Sequence, residues 1–209
     1  LEQAAKKHQW VLFVQEPADD DSVPTLVRNP KWIQIISPMF TIMNIVPGYR
    51  EKDISPFFLV FFAIFFSMLV GDAGYGTIFL LITAFAHRFY GAKMPDKAIL
   101  YLSYLLSTVT IIWGLLTGTV FGTLLFGGTV KPLMPWLSDT KNVQLLCFTL
   151  GVIHLTLAHI WRAVTRGAWI GALAESGWIL MLWGSYFLAN MMLIGIPLPV
   201  FVPYLYIVG

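Results

Sequence analysis

The stretch Ser67-Met-Leu-Val-Gly-Asp-Ala-Gly-Tyr-Gly-Thr-Ile-Phe79 places one carboxylate, Asp72, among three glycines inside a long apolar run. Residues 54–86 contain no other charged side chain, and residues 98–126 contain none at all. Each run is longer than the roughly 20 apolar residues that a helix needs to span a bilayer. Charged residues make up 11% of the whole chain, whereas soluble domains carry about 25%. The sequence therefore predicts a membrane protein.

The apolar runs predict about four transmembrane helices, so the expected fold class is all-α, a polytopic membrane helix bundle. The spans are placed at about residues 56–87, 98–126, 143–161 and 176–196. Residues 167–175 are interpreted as a short interfacial segment before the last of these spans. Pro197, Pro199 and Pro203 predict an extended connection after it. The apolar tail from residue 204 is a possible start of another span.

Residues 1–53 are predicted to be a small non-membrane remnant, and residues 54–209 the transmembrane domain. About 50 residues rarely bury a sufficient core of their own, and the chain begins with Leu1 rather than Met. We therefore expect residues 1–53 to be the end of a cytoplasmic domain and a linker, in a longer protein. Residues 1–9 are compatible with a helix, and residues 10–14, WVLFV, are a candidate strand.

Glycines are concentrated in the first two predicted spans. The first span would be roughly 45 Å long at 1.5 Å per residue, which exceeds the hydrocarbon core of about 30 Å. It must therefore tilt, kink or protrude, and the obvious places for a bend are Gly71, Gly74 and Gly76. In the second span, small residues recur at every fourth position, which allows helix backbones to approach closely. These helix-packing candidates are Gly114, Gly118 and Gly122.

Asp72 is the most informative single residue. A carboxylate inside a bilayer is costly, so it usually faces the interior of the bundle or water, and it often marks an ion path. The alternative is a structural role, in which Asp72 caps backbone groups that are exposed at a glycine bend near one interface. Both hypotheses stay open at the level of the sequence.

Two further titratable residues are candidates for an ion path. His154 could relay protons because the unperturbed pKa of histidine is about 6.5, or it could make a hydrogen bond at a helix contact. Glu175, at the start of the fourth predicted span, could be part of a relay or an interfacial carboxylate. His154 and His159 are five positions apart, which rotates them about 140° apart on a helix. No metal site is predicted.

Several other classes of function are disfavoured. The glycine spacing of residues 71–77 superficially resembles a phosphate loop, but it lacks the lysine before the threonine. The net charge is +2 with dispersed basic residues, so nucleic-acid partners are not expected. The single cysteine, Cys147, has no partner for a disulfide and is expected to pack in the third span. No nucleophile with a base and no cofactor motif is found, so an intramembrane enzyme is not expected.

The run at residues 55–76, in which Pro-Phe-Phe leads into Gly-Asp-Ala-Gly-Tyr-Gly, resembles the first membrane helix of subunit I, also called subunit a, of V-type and archaeal-type rotary ATPases. Four further segments match the family in order and spacing. They are residues 24–26 (PTL), 113–122 (WGLLTGTVFG), 151–154 (GVIH) and 177–178 (GW).

The resemblance implies a non-catalytic stator subunit that supports translocation of protons, or of sodium ions, at a proteolipid ring. The implied partners are that ring, the peripheral stalk subunits, the membrane subunits associated with the central stalk and the lipid bilayer. ATP chemistry would belong to other subunits, and no cofactor is implied. The implied location is a prokaryotic plasma membrane. The family's indispensable arginine lies on a late helix after the segment matched here, so no residue of this chain is assigned that role.

A membrane scaffold or assembly protein without an ion path of its own is the alternative function. The orientation of the chain is predicted from the distribution of lysine and arginine, which are more frequent on the cytoplasmic side of a membrane. This distribution predicts a cytoplasmic N-terminus. If all four spans cross and the N-terminus is cytoplasmic, eight lysines and arginines lie inside and five outside. The five outer residues are Arg88, Lys93, Lys97, Arg162 and Arg166.

Overall fold

The structure is a computed structural model that describes residues 1–14, 16, 18, 27–46, 48, 52–123, 131–166 and 169–209. The all-α fold class is confirmed, since no β-strand occurs among these residues. The nine α-helices of this part of the chain are α1 (Glu2–His8), α2 (Lys31–Gln34), α3 (Ser37–Ile42), α4 (Ser55–Val70), α5 (Ala73–Tyr90), α6 (Ala98–Thr117), α7 (Thr140–Arg166), α8 (Trp169–Ala189) and α9 (Val202–Val208).

The predicted first span is two helices, α4 and α5, whose axes turn by 119° between Val70 and Ala73. The break follows from the local sequence. Gly71 ends α4 in a left-handed conformation (φ 69°), which glycine adopts without a steric penalty. Asp72 is extended and caps the start of α5. The glycine bend is therefore present, but an angle above 90° means that α5 runs back toward the side from which α4 began. The span predicted at residues 56–87 is therefore not one continuous helix.

Helix α6 fixes the directions of α4 and α5 by packing between them. Along α5, Gly76 lies against Ile111 and His87 lies beside Tyr104, so α5 and α6 are antiparallel. Along α4, Leu59 shares a buried cluster with Leu102 near the start of α6. Helices α4 and α6 therefore run in the same direction, and α5, which comes between them in the sequence, runs in the opposite direction.

The end of α6 corrects two predictions, the bounds of the second span and the helix-packing role of its three glycines. The helix stops at Thr117 rather than residue 126, because Gly118 adopts a left-handed conformation (φ 75°) as the C-cap. Gly122 also has a positive φ, of 68°, in the short 3₁₀ turn Phe121–Thr123. Of the three glycines, Gly114 alone lies in a helix face. Gly118 and Gly122 serve the turn after it.

Helices α7 and α8 form an antiparallel hairpin at the side of the α4–α6 unit. The hydroxyl groups of Thr149 and Tyr186 are 3.0 Å apart, and Trp183 Nε1 donates to Thr156 at 3.2 Å. The span predicted at 143–161 lies within α7. Residues 169–175 of the predicted interfacial segment form the first turns of α8, and their place at the interface stays a prediction.

Helix α8 continues into a π-helical segment, Asn190–Ile194, that ends at Gly195. Residues 195–199 are irregular, as the prolines predict, but Pro203 lies in the first turn of α9, where its missing N–H has no helical partner to lose. Helix α9 returns along α8, since Phe187 contacts Phe201 and Gly184 contacts Tyr206. Whether the tail begins another span stays a prediction.

Among the described residues, three helices are long and apolar enough to cross a membrane, namely α6, α7 and α8 with its π-helical continuation; the number is four if the bent pair α4–α5 counts as one span. Aromatic contacts join the two halves: Phe57 packs on Trp161 with ring centroids 5.4 Å apart. The beginning of α4 and the end of α7 therefore lie at the same end of the bundle. The division of the chain at residue 53 stays a prediction.

The N-terminal region contains helix α1, as the sequence predicts, but not the expected strand. Residues 11–14 have no regular structure, and Val11 and Phe13 are largely exposed. A strand needs a neighbouring strand for its backbone hydrogen bonds, and none is found in the described residues. The family-like residues 24–26 lie outside the described part of the chain.

Candidate functional site

Asp72 lies at the junction of α4, α5 and the turn after α6, and its side chain is 4% exposed. Its Oδ1 atom accepts backbone hydrogen bonds from Gly74 at 2.7 Å and Tyr75 at 3.1 Å. These are the two N–H groups that an N-cap residue satisfies at the start of a helix. Asp72 therefore stabilises the first turn of α5.

The same carboxylate also holds residues from the turn that follows α6. Phe121 N–H donates to Oδ1 at 3.0 Å, and Gly122 N–H donates to Oδ2 at 2.8 Å. Next to these contacts, Ala73 N–H donates to the carbonyl oxygen of Thr119 at 2.9 Å. Asp72 thus connects two segments that are about 50 residues apart in the sequence. We call Asp72 with residues 73–75 and 119–122 the Asp72 clamp.

Close packing surrounds the Asp72 clamp. A Cβ atom at Gly74 would lie 2.7 Å from the ring of Phe121, and a Cβ atom at Gly114 would lie 2.0 Å from the backbone nitrogen of Ala73. Distances under 3.0 Å require atoms to move. Glycine is needed at residue 114 because the end of α6 approaches the backbone at the start of α5, and at residue 74 a side chain would clash with the ring of Phe121.

The hydrogen bonds of the Asp72 clamp fit a carboxylate with a structural role. Four N–H groups require acceptor positions, and an ionised carboxylate supplies about four on its two oxygens. Hydrogen bonds to a charged acceptor are also stronger than neutral ones. The sequence named both a capping role and an ion path for Asp72, and this geometry fits the capping role.

Glu175 forms a second polar cluster, between the last turns of α7 and the first turns of α8. Its side chain is 3% exposed. Its Oε2 lies 2.6 Å from His159 Nδ1, and its Oε1 lies 3.3 Å from Arg162 Nε. The two partners are three positions apart and share one face of α7. We call Glu175, His159 and Arg162 the Glu175 cluster.

The sequence analysis named Glu175 but missed its two partners. It considered His159 only in relation to a metal site shared with His154, which the spacing of the two residues argued against. A signal was present: His159 and Arg162 lie at i and i+3, so one carboxylate on the next helix can reach both. Choosing Glu175 as that carboxylate requires the register of the hairpin.

His154 lies away from both clusters. Its ring stacks on Phe61 with a centroid distance of 4.3 Å and is 5.7 Å from Phe65. It therefore joins α7 to α4 through aromatic contacts rather than through the hydrogen bond that the sequence analysis considered. Asp72, His154 and Glu175 contact different residues, so the structure distributes these three candidates over three places.

Glu175→Gln is expected to lower the stability of the α7–α8 hairpin. The substitution keeps the volume but removes the charge that faces His159 and Arg162. A buried hydrogen bond to a charged group contributes about 1.5–3 kcal/mol, and the 54% exposure of Arg162 reduces the share of its pair. We expect a loss of about 1–2 kcal/mol, measured by thermal unfolding of the detergent-purified protein. Equal unfolding of Glu175→Gln and of the exposed control Glu2→Gln would contradict this role.

The chain is similar to curated proteins over most of its length. The V-type ATP synthase subunit I of Borreliella burgdorferi is 32% identical over 203 residues, which cover 90% of this chain and 33% of that protein. The V-type ATP synthase subunit I 1 of Treponema pallidum is 34% identical over 198 residues, covering 88% of this chain and 31% of that protein.

A more distant relative is the A-type ATP synthase subunit I of Archaeoglobus fulgidus, which is 29% identical over 114 residues, 54% of this chain and 17% of that protein. No family model matches the chain. The chain spans about a third of the length of the two bacterial relatives. The likeness therefore extends over nearly all of this chain and over part of each relative.

Proposed function

Because this chain belongs to the family of V-type and A-type ATP synthase subunit I, we propose that it is a membrane stator subunit of a rotary ATPase. In this role it supports translocation of protons or sodium ions at a proteolipid ring. The observation that carries the proposal is the identity of 32–34% over about nine tenths of the chain. The all-helical membrane bundle agrees with that role.

The proposed partners are the proteolipid ring, the peripheral stalk subunits and the membrane subunits associated with the central stalk. The subunit itself carries out no ATP chemistry in this proposal. The polar clusters support that assignment, because the Asp72 clamp and the Glu175 cluster connect helices of the chain to one another. Neither cluster presents a nucleophile beside a general base.

The proposed orientation places the N-terminus in the cytoplasm of a prokaryotic cell, with the chain in the plasma membrane. Because α5 returns to the side where α4 begins, residues 91–97 lie on the N-terminal side, and so does the end of α7. Ten described lysines and arginines then share that side, and two lie on the other. The ten are Lys6, Lys7, Arg28, Lys31, Lys52, Arg88, Lys93, Lys97, Arg162 and Arg166, and the two are Lys131 and Lys141.

This ratio of ten to two, which leaves out Arg50 because it lies outside the described residues, replaces the count of eight to five, which included Arg50 and assumed that residues 56–87 cross the membrane once. A strong excess of lysine and arginine is typical of the cytoplasmic side. The reversal at Asp72 therefore makes the basic residues consistent with one orientation, and it supports a cytoplasmic N-terminus.

A membrane scaffold without an ion path is the second candidate function. The observation that favours it is the Asp72 clamp, in which both carboxylate oxygens accept backbone hydrogen bonds. In the stator proposal, the same clamp would keep α4, α5 and α6 in register beside the ion-conducting parts of the complex. The two candidates therefore differ in the partners of the chain rather than in the role of Asp72.

The proposal is tested by purifying the full-length protein from its native membranes in a mild detergent and identifying the bound proteins by mass spectrometry. We expect proteolipid ring and stalk subunits to co-purify in fixed ratios. An unrelated membrane protein of similar abundance, tagged in the same way, serves as the control. Recovery of the chain without any ATPase subunit would reject the stator role and favour the scaffold.

A further inference from the structure

A basic cleft opens between the end of α5 and the beginning of α6. Its volume is about 440 Å³, and its lining includes His87, Arg88, Lys97 and Tyr104 together with small residues of the connection. Neither the Asp72 clamp nor the Glu175 cluster contributes to it. Residues 84–104, which contain the whole lining, are all described by the structure.

The charge of the basic cleft favours an anion. The lining contains two basic side chains, Arg88 and Lys97, and none of the lining residues is a carboxylate. The acidic residue beside Lys97 in the sequence is Asp96, whose Oδ1 accepts a hydrogen bond from the backbone N–H of Ala98 at 2.9 Å. Asp96 therefore stabilises the start of α6. The cleft also offers hydrogen-bond donors on Arg88, Lys97 and Tyr104.

The surroundings of the basic cleft resemble a membrane interface. The last turns of α5 expose Phe85, Phe89 and Tyr90, and the first turn of α6 exposes Tyr101. Aromatic residues of this kind are enriched where helices pass between hydrocarbon and headgroups. Arg88 lies over the ring of Phe89, at 5.9 Å from its centroid. A ligand with an anionic head and apolar tails would match both parts of this surface.

We infer that the basic cleft binds the phosphate headgroup of an anionic phospholipid. The phosphate oxygens accept hydrogen bonds from Arg88, Lys97 and Tyr104, and the acyl chains lie along the exposed apolar face of α5 at Phe85 and Phe89. Basic pockets between membrane helices on the cytoplasmic side are suited to anionic headgroups. The inference does not depend on the stator role, because it uses only the residues of the cleft and the membrane.

The test is native mass spectrometry of lipid retained by the full-length protein after reconstitution in mixed phosphatidylglycerol and phosphatidylcholine. The test variant is Arg88→Gln with Lys97→Gln, and the matched control is Lys131→Gln with Lys141→Gln at the other end of the bundle. Both cleft side chains are exposed, so the substitutions remove no buried packing. At about 1 kcal/mol for each basic residue near a membrane surface, we expect roughly 30-fold weaker retention of phosphatidylglycerol in the test variant.

The single variants Arg88→Gln and Lys97→Gln should each weaken retention by roughly fivefold, and the control pair should leave it unchanged. Inorganic phosphate at millimolar concentration separates the two sources of the same anion. We expect it not to displace the lipid, because free phosphate lacks the acyl contacts with α5. Equal retention in the test and control variants would overturn the inference. Displacement by free phosphate would also overturn it and identify a site for soluble anions.

Discussion

Replacing Gly114 with valine is expected to prevent the folding of the α4–α6 unit. A Cβ atom at residue 114 would lie 2.0 Å from the nitrogen of Ala73 and 2.7 Å from the carbonyl carbon of Asp72. Both neighbours are backbone atoms, so a change of rotamer does not relieve the clash. The cost exceeds the 1–3 kcal/mol of ordinary overpacking, and we expect it to reach about 4–5 kcal/mol or more.

The Gly114→Val protein should be nearly absent from membranes, or aggregated after extraction in mild detergent and size-exclusion chromatography. Gly151→Val in α7 is the matched control, because nothing lies within 4 Å of a Cβ atom at that position. The control carries the same helix-propensity change without the clash, so it should be recovered at near wild-type levels. Similar recovery of the two variants would contradict the close approach of α6 to α5.

Asp72→Ala is expected to destabilise the junction of α4, α5 and α6 by about 4 kcal/mol or more. The substitution leaves the backbone N–H groups of Gly74, Tyr75, Phe121 and Gly122 without their acceptor. A buried donor that loses its partner costs about 1–3 kcal/mol, and water compensates part of the total at the more exposed positions. The measurement is thermal unfolding of the detergent-purified protein.

Asp72→Asn is the matched control for Asp72→Ala. The amide keeps one acceptor oxygen at the position of Oδ1, where Gly74, Tyr75 and Phe121 donate, while its NH₂ group opposes the N–H of Gly122. We therefore expect a smaller loss of stability than for alanine. Equal stability of Asp72→Ala and the wild-type protein would contradict the clamp.

The Asp72→Asn variant also distinguishes the clamp from an ion path. In the assembled complex it should retain ATP-driven ion uptake into membrane vesicles, in proportion to the amount of assembled protein. A complex that assembles normally but loses ion uptake would show that the charge of Asp72 serves translocation. The ion path would then replace the clamp as the function of this carboxylate.

The membrane character and the position of the bend could be predicted from the sequence because both depend on local composition. A run of apolar residues requires a helix in a bilayer, and Gly71 is the residue type that a left-handed C-cap needs. The reversal of direction could not be predicted, because it depends on Phe121 and Gly122 reaching Asp72 from a distant part of the chain. Periodicity contains no information about such a contact.

The three glycines of the second predicted span show that spacing alone is not sufficient to predict a helix-packing face. Gly114, Gly118 and Gly122 have the i, i+4, i+8 pattern of a helix-packing face, and Gly114 does pack against another helix. Gly118 and Gly122 have positive φ angles, so the same glycines that suit a helix face here end the helix. Both roles, in a helix face and in a turn, depend on the missing Cβ atom of glycine. The hydrogen bond from Gly122 to Asp72 favours the turn.

The Glu175 cluster was predictable only in part, for a similar reason. The sequence indicates a buried or interfacial carboxylate at residue 175, since it begins a charge-free apolar run. Its partners lie on the preceding helix, 16 and 13 residues earlier, and their identity depends on the antiparallel register of α7 and α8. The strand predicted for the WVLFV segment is absent for a different reason: its residues have β propensity, but the described part of the chain contains no strand with which it could pair.

The central claim of this account is that the chain reverses at Asp72, so that residues 91–97 lie on the same side of the membrane as residue 52. The most direct measurement is labelling of single cysteines introduced at Lys52, Lys93 and Lys131 in the full-length protein, with Cys147 and any other native cysteine replaced by serine. A membrane-impermeant maleimide is applied to vesicles of both orientations. The account predicts that Lys52→Cys and Lys93→Cys react in one orientation and Lys131→Cys in the other. Labelling of Lys93→Cys together with Lys131→Cys would contradict it and restore a single crossing at residues 56–87.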